Sequence, residues 1–158
     1  MYWLWYIYIY YSFINALAKE IHKIDPYHPV ALGNGELIGL EFANEYCPEV
    51  DLVACVAYRG KTFGSLFRSL RVTFDRPVFI SEFGVDAYDA YLQKEDQDIQ
   101  SLFLESQWRQ IYQNLYGNKE GAGNCLGGVM SEWTDEWGKY NEFNPSGIQS
   151  EGQAMVGV

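Results

Sequence analysis

Basic residues are scarce in this chain. Its 158 residues include 11 Lys and Arg against 21 Asp and Glu, which sets the net charge at −10 at pH 7. Nucleic-acid binding relies on a basic surface that neutralises phosphates, so this balance argues against a nucleic-acid partner. The hydrophobic fraction of 48% excludes an intrinsically disordered chain and is sufficient for one domain with its own core.

Cysteine and histidine are also few, and their spacing fits no common metal or dithiol motif. The three cysteines form no C-x-x-C pair, which argues against a zinc ribbon or a redox dithiol. One disulfide plus one thiol is an alternative, although Cys55 and Cys125 stand in apolar runs typical of core thiols. His22 and His28 lack the spacing of helical metal ligands, and no G-x-S-x-G motif is present. We therefore expect neither a metal nor a cofactor.

Charge is absent from the first 18 residues. This length just reaches that of a membrane span, but the segment is rich in Tyr, which prefers the membrane interface to hydrocarbon. We favour a second interpretation, in which the aromatic amino end (residues 1–11) is a strand remnant that precedes a helix. Apolar residues at helical spacing support that helix, which Asp25-Pro26 would end: Ile14, Leu17, Ala18, Ile21 and Ile24.

Beyond Pro26 the chain alternates between strand and helix patterns. Short apolar runs predict strands at residues 28–33, 50–58, 77–81 and 126–131. Helical spacing of apolar residues predicts helices at residues 36–46, 63–74 and 95–116, with a polar loop at 86–94. Strands that alternate with helices indicate βαβ units, and therefore an α/β fold with a parallel sheet.

Polar and aromatic residues follow three of the predicted strands: Tyr58-Arg59, Ser81-Glu82 and the segment from Glu132 to Trp137. Since the chemistry of parallel α/β proteins gathers at the carboxyl ends of their strands, we expect these residues to share one edge of the sheet. Glu82 is the most informative of them. A carboxylate that a buried strand carries to the rim is costly unless it has a function or a partner.

Residues 77–84, PVFISEFG, resemble the seventh strand of the TIM-barrel retaining glycoside hydrolases. This clan includes the β-glucuronidase and β-galactosidase barrels and the β-1,3-glucanosyltransferases. Tyr58 resembles the end of the sixth strand, where Val56 replaces a frequent Asn. Gly127-Gly128 and the acidic, aromatic residues after them resemble the eighth strand, and residues 23–30 resemble the segment before the fifth.

The resemblance implies a partial (β/α)8 TIM barrel of about four βα units, namely the fifth to eighth strands. A complete barrel takes eight strands and about 250 residues. We therefore expect residues 1–158 to form a single partial barrel domain, with residues 146–158 as a truncated tail. Its exposed sheet edges are expected to make the isolated chain marginally stable and prone to self-association.

The resemblance also implies the chemistry of the site. Retaining glycosidases use two carboxylates about 5–5.5 Å apart, one as nucleophile and one as acid/base. Glu82 is the implied nucleophile, and Tyr58 would donate a hydrogen bond that orients it. The alternative for Glu82 is a structural ion pair with Arg59. Glu36 and Glu45 each stand near an Asn, but both are too close in sequence to Glu82 for the acid/base, which we expect upstream of Met1.

The residues after the fourth predicted strand are candidates for substrate contacts. Trp133 or Trp137 would stack on a pyranose ring, and Glu132, Asp135 or Glu136 would bind hydroxyl groups; the alternative is a solvated acidic loop. Arg59 is a further candidate for substrate binding. The expected partner is an oligosaccharide or polysaccharide with β-linkages, and the compartment, secreted, periplasmic or cytoplasmic, is left open. The alternative function is a non-catalytic carbohydrate-binding or scaffold protein derived from such a barrel.

Overall fold

Four parallel strands form the central sheet of the computed structural model, which describes residues 2–89, 92–131 and 133. The strand order is β1-β2-β3-β6, so each strand pairs with the next one added to the sheet. The elements follow in the order α1 (Tyr2–Ile24), β1 (Ala31–Gly35), a 3-10 turn (Leu40–Phe42), α2 (Ala43–Tyr46), β2 (Leu52–Val56), α3 (Leu66–Thr73), β3 (Val78–Phe83), β4 (Tyr88–Asp89), β5 (Lys94–Glu95), α4 (Gln97–Gln113) and β6 (Cys125–Met130). The predicted α/β class and parallel sheet are confirmed.

The core lies on one face of the sheet. Buried strand residues alternate along β2 and β3, with Val53, Cys55, Val78 and Ile80 all close to 0% exposed. They form one apolar cluster with the buried faces of the 3-10 turn, α2, α3 and α4. Strands added in sequential order by right-handed crossovers carry their helices on the same face, which is the arrangement that this cluster requires.

The other face of the sheet has little cover from the described residues. Leu126 and Val129 of β6 are 47% and 51% exposed. Ala31 and Gly33 of β1 are exposed, and Phe79 of β3 is half-buried. The sheet therefore has a packed face, which carries the helices, and an open face.

The amino end of the chain is helical, so the predicted strand remnant at residues 1–11 is wrong. Helix α1 begins at Tyr2 and continues to Ile24. Ile7, Tyr11, Ile14 and Ala18 pack on the core at i, i+4, i+7 and i+11, a helical periodicity that includes the aromatic segment. None of the helices in the described part of the chain is both long enough and apolar enough to span a membrane.

Two connections also differ from their predictions. The helix expected at residues 36–46 is confined to a 3-10 turn and α2, because Glu36 and Gly39 have left-handed backbones with φ of 52° and 66° that interrupt it. The polar loop at 86–94 contains a short antiparallel pair, β4 with β5. Neither change alters the order of the four parallel strands.

The three cysteines are free thiols in the core, so the disulfide alternative is wrong. Cys47, Cys55 and Cys125 are all buried. Burial raises the pKa of Cys55 and of Cys125 to about 11, because the apolar surroundings disfavour a thiolate. These thiols are therefore packing groups, as predicted for Cys55 and Cys125.

Candidate functional site

The carboxyl ends of the four parallel strands meet at one edge of the sheet, which we call the carboxyl edge. Glu36 follows β1, Tyr58 and Arg59 follow β2, Glu82 lies near the end of β3, and Trp133 follows β6. Parallel pairing throughout the sheet puts all of these positions on the same side. The sequence-based prediction of a shared edge is confirmed for Tyr58, Arg59, Glu82 and Trp133, whereas the rest of the segment 132–137 lies outside the described residues.

Tyr58 and Glu82 contact each other across neighbouring strands. The hydroxyl of Tyr58 donates a hydrogen bond to Oε2 of Glu82 at 3.2 Å. Both residues are exposed to solvent, Tyr58 at 50%. Immediately below them, the backbone N–H of Ala57 donates to the Glu82 carbonyl oxygen at 2.9 Å, which continues the β2–β3 ladder. The predicted tyrosine–carboxylate pair is therefore present and open to a ligand.

A bulge in β3 turns Glu82 out of the core. Val78 and Ile80 face the helices, so regular alternation would also bury Glu82. Instead β3 has an extra residue after Ile80 relative to both of its neighbours in the sheet, because Cys55 and Val56 pair with Ile80 and Glu82. Bulges commonly re-aim a side chain next to a functional site.

Phe83 occupies the core-facing position that Glu82 would hold in a strand without the bulge. Its ring is fully buried and makes edge-to-face contacts with Phe63 at 6.0 Å and with Trp108 at 5.0 Å. Burial of a large aromatic ring stabilises the bulged register, since a regular strand would exchange Phe83 for a buried carboxylate. The exposure of Glu82 is therefore tied to the packing of its neighbour.

Arg59 pairs with Glu36, so the alternative of an ion pair between Arg59 and Glu82 is wrong. Its Nε and one terminal nitrogen donate to the two carboxylate oxygens of Glu36 at 2.8 and 2.6 Å. These hydrogen bonds lower the pKa of Glu36. The other terminal nitrogen of Arg59 donates to the carbonyl oxygen of Phe63 at 3.2 Å. The guanidinium is thus held within the rim by protein groups.

The two glutamates that stand near an Asn in the sequence are poorly suited to donate a proton beside Glu82. A general acid needs a raised pKa, whereas the Arg59 hydrogen bonds lower that of Glu36. Glu45 lies in α2, which leads into the amino end of β2 and therefore lies at the opposite edge of the sheet. Both observations agree with their rejection on sequence spacing.

Trp133 lies beyond β6 with its side chain 89% exposed. It borders a cleft of about 180 Å³, whose lining residues come from β6, α4 and the segment after β3: Val85, Gln100, Leu104, Met130, Ser131 and Trp133. The Gln100 amide donates to the Val85 carbonyl oxygen at 3.2 Å and so orders one wall. The other predicted sugar contacts in this segment, Glu132, Asp135, Glu136 and Trp137, lie outside the described residues.

Sequence reasoning missed one polar residue beneath the site. Gln107 of α4 is fully buried, and its Nε2 donates to the carbonyl oxygens of Gly60 and Gly84 at 2.6 and 3.2 Å. The sequence signal for this burial was the spacing of Gln107, which is four residues after Phe103 and four residues before Ile111. This spacing puts it on the core-facing side of the helix. A glutamine at such a position is a candidate for a buried structural contact.

The described part of the chain brings together no group of three or more His, Cys, Asp or Glu side chains able to hold a metal ion. Its polar rim instead consists of a hydrogen-bonded phenol and carboxylate, an arginine–glutamate pair and an exposed indole. Comparison with protein-family models and with curated proteins returned no match for this chain.

Proposed function

We propose that this chain carries the nucleophile of a retaining glycoside hydrolase or transglycosylase that acts on β-linked glycans. The carboxylate of Glu82 attacks the anomeric carbon, the bond to the leaving-group oxygen breaks, and a covalent glycosyl-enzyme forms. Water or a sugar hydroxyl then releases the glycosyl group. The observation that carries the proposal is the hydrogen bond from the Tyr58 hydroxyl to Glu82 Oε2 at the carboxyl edge.

The Tyr58 contact leaves Glu82 competent as a nucleophile. Among the described residues the Tyr58 hydroxyl donates to Oε2, so Oε1 is left to attack. A hydrogen bond to a charged group is directional and fixes the rotamer of the carboxylate, which reduces the reorganisation needed to reach the transition state. Because the pair is exposed to solvent, a pyranose ring has access to it.

We propose that the four parallel strands belong to a (β/α)8 barrel, in which further strands continue the sheet beyond β1 and β6. Sequential strand order, helices on one face of the sheet and an open opposite face support this arrangement. Leu126 and Phe79 on the open face would then pack inside the barrel.

An activated 2-deoxy-2-fluoroglycoside with a dinitrophenolate leaving group provides the test. This leaving group departs without protonation, so the reagent reports the nucleophile without requiring an acid/base partner. Incubation of the full chain should attach one fluoroglycosyl group to Glu82, as located by peptide mass spectrometry. Attachment at another residue, or no attachment, would contradict the proposal.

Two variants sharpen this test. Glu82→Gln should abolish labelling, because an amide is a poor nucleophile. Tyr58→Phe should slow it by roughly 10- to 100-fold, which corresponds to the loss of one hydrogen bond to a charged group. Glu36→Gln is the matched control, since this carboxylate at the same edge is engaged by Arg59 and should leave the rate of labelling unchanged.

A non-catalytic carbohydrate-binding protein is the second candidate. The lowered pKa of Glu36 and the distant position of Glu45 favour it, because neither glutamate is a suitable proton donor. This candidate predicts that β-linked oligosaccharides perturb the Trp133 indole in NMR spectra of the full chain, while the fluoroglycoside leaves Glu82 unlabelled. Covalent labelling of Glu82 would reject it.

A further inference from the structure

Beneath the rim, α4 is linked to both of the strand ends that present the candidate catalytic pair. We propose that Gln107 is a positioning residue that holds the carboxyl ends of β2 and β3 at a fixed separation and thereby maintains the Tyr58–Glu82 contact. The inference rests on the proposed function in that it assigns Gln107 a part in orienting the nucleophile.

The contacts of Gln107 reach both strands at equivalent positions. Gly60 lies two residues after Tyr58, and Gly84 lies two residues after Glu82. The two protons on Gln107 Nε2 are donated to the carbonyl oxygens of these glycines, at 2.6 and 3.2 Å. One planar amide therefore connects the continuations of both strands from the side of the helices.

The glycines allow this close geometry. Gly60 has a left-handed backbone with φ of 67°, which side chains rarely adopt. At Gly84, a Cβ would lie 2.2 Å from the carbonyl oxygen of Ser131, so a side chain would push β3 away from the segment after β6. Both carbonyl groups that Gln107 contacts thus belong to positions at which a side chain would strain the backbone or clash with it.

The two hydrogen bonds of Gln107, which we call the clamp, connect β2 and β3 beyond the end of their hydrogen-bond ladder. Ala57 N–H to the Glu82 carbonyl oxygen is the link between β2 and β3 just before the rim. Past this point Arg59, in the segment after β2, is bound by Glu36, which follows β1. Gln107 opposes a separation of the two strand ends at this level, which would otherwise lengthen the 3.2 Å contact between Tyr58 and Glu82.

The buried amide of Gln107 has both an energetic cost and a directed contribution. Gln107 is 0% exposed, and its Oε1 has no hydrogen-bond partner among the described residues. A buried amide oxygen without a partner is unfavourable, whereas an apolar side chain of the same length would not carry that cost. The two directed donors of the amide are the feature that an apolar residue lacks.

A neighbouring glutamine on the same helix provides a matched control. Gln110 Oε1 accepts hydrogen bonds from the Thr62 hydroxyl and the Phe63 backbone N–H, at 3.0 and 2.9 Å. Its contacts therefore anchor α4 to the segment after β2, and none of its hydrogen bonds within the described residues reaches β3. Loss of Gln110 would weaken the fold locally without releasing a β2–β3 clamp.

The test uses the full chain labelled with ¹³C at tyrosine Cζ, a nucleus sensitive to hydrogen bonding of the phenol. Glu82→Gln should shift the Tyr58 resonance by changing the acceptor of its hydrogen bond. In the Gln107→Met background this Glu82-dependent shift should be lost, and in the Gln110→Met background it should be retained. Retention in Gln107→Met, or equal loss in both backgrounds, would overturn the proposal.

A measurement on the unsubstituted chain covers the case in which Gln107→Met fails to fold. The Nε2 protons of Gln107 should show nuclear Overhauser contacts to the backbone of both Gly60 and Gly84 and should exchange slowly with solvent. Contacts to only one of the two glycines would overturn the clamp.

Labelling kinetics separate this inference from the proposed function. Gln107→Met should slow the covalent step of Glu82 labelling by about tenfold, with little change in reagent affinity, because the amide does not touch the ligand. If Glu82 is not labelled at all while the NMR coupling behaves as described, the clamp stands and the proposed reaction fails.

Discussion

The two edges of the parallel sheet each carry an arginine, and the two arginines are used differently. At the amino edge, Arg76 precedes β3 and donates to backbone carbonyl oxygens of Ala43, Cys47 and Val50. Its guanidinium also lies 4.4 Å from the ring centroid of Phe74. At the carboxyl edge, Arg59 engages the carboxylate of Glu36.

This difference indicates where ligand chemistry can occur. At the amino edge the guanidinium of Arg76 donates hydrogen bonds to carbonyl oxygens of α2 and of the connection between α2 and β2. The role of this arginine is therefore structural. At the carboxyl edge the bulge in β3 and the Tyr58 contact present the carboxylate of Glu82, which is exposed and forms no part of the buried core. Substitution of Arg76 at the amino edge should therefore affect stability, whereas substitution of Glu82 at the carboxyl edge should affect chemistry.

The largest loss of stability is expected from Arg76→Met. Removal of the guanidinium leaves the buried carbonyl groups of Cys47 and Val50 without this charged donor, and we expect the free energy of unfolding to fall by about 3 kcal/mol. Urea unfolding followed by circular dichroism measures it. Arg71→Met, at an exposed position of α3, should change the value by less than about 0.5 kcal/mol. Equal losses in both variants would contradict the structural role of the amino edge.

A smaller loss is expected where β3 and β6 approach each other. Gly84→Ala would put a Cβ 2.2 Å from the Ser131 carbonyl oxygen and strain the adjacent bond from Ser131 N–H to the Phe83 carbonyl oxygen, so we expect a loss of about 2 kcal/mol. Thermal and urea unfolding both report it. A Cβ at Gly35 would meet nothing within 4 Å, and Gly35→Ala should show no comparable loss. A stable Gly84→Ala chain would refute the close approach.

The ion pair at the carboxyl edge should make a modest, pH-dependent contribution. The Arg59 hydrogen bonds lower the pKa of Glu36 in the folded chain relative to an ordinary carboxyl value of 4.5. The stabilisation is therefore fully present above that value and is lost as the pH falls through the folded pKa. Glu36→Gln should destabilise the protein by about 1 kcal/mol at neutral pH, with the difference shrinking in acid.

Urea unfolding of both chains across this acidic range measures the effect. Glu20→Gln is a useful control, because Glu20 forms an exposed pair with Lys23 on α1. Its substitution should change stability by less than about 0.5 kcal/mol at any pH. A Glu36→Gln deficit that persists unchanged in strong acid would show that the ion pair is not its source.

The smallest effect on stability is expected at the nucleophile itself. Glu82 is exposed, so Glu82→Gln should change the free energy of unfolding by less than about 0.5 kcal/mol. The same substitution should abolish covalent labelling. A strong destabilisation by Glu82→Gln would instead mark Glu82 as part of the structural framework and remove the contrast between the two edges.

Much of the framework could be predicted from the sequence because it depends on local patterns. Apolar runs bounded by turns located the four parallel strands, and helical spacing located α3 and α4. The aromatic end of α1 was missed although Ile7, Tyr11, Ile14 and Ala18 have helical spacing. There the abundance of tyrosine favoured a strand, and the tertiary contacts of one helical face outweighed that preference.

The candidate site likewise has features that could be predicted from the sequence and features that could not. Glu82 and Tyr58 stand at strand ends in the sequence, so their shared edge followed from parallel pairing alone. The partner of Arg59 did not follow, because it depends on β1 lying beside β2 and on the left-handed turn that presents Glu36. Gln107 could not be interpreted without knowing which backbone carbonyl groups lie above α4.

By itself the sequence determined the α/β class, the order of the four parallel strands with the helices between them and the presence of a carboxylate at the end of a buried strand. Only the tertiary structure decided that this carboxylate faces solvent, because strict alternation along β3 would have buried Glu82 with Val78 and Ile80. The extra residue in β3 is visible only against its two neighbours in the sheet, and the packing of Phe83 between Phe63 and Trp108 stabilises it. Periodicity is a property of one segment, whereas register is a property of a pair of strands.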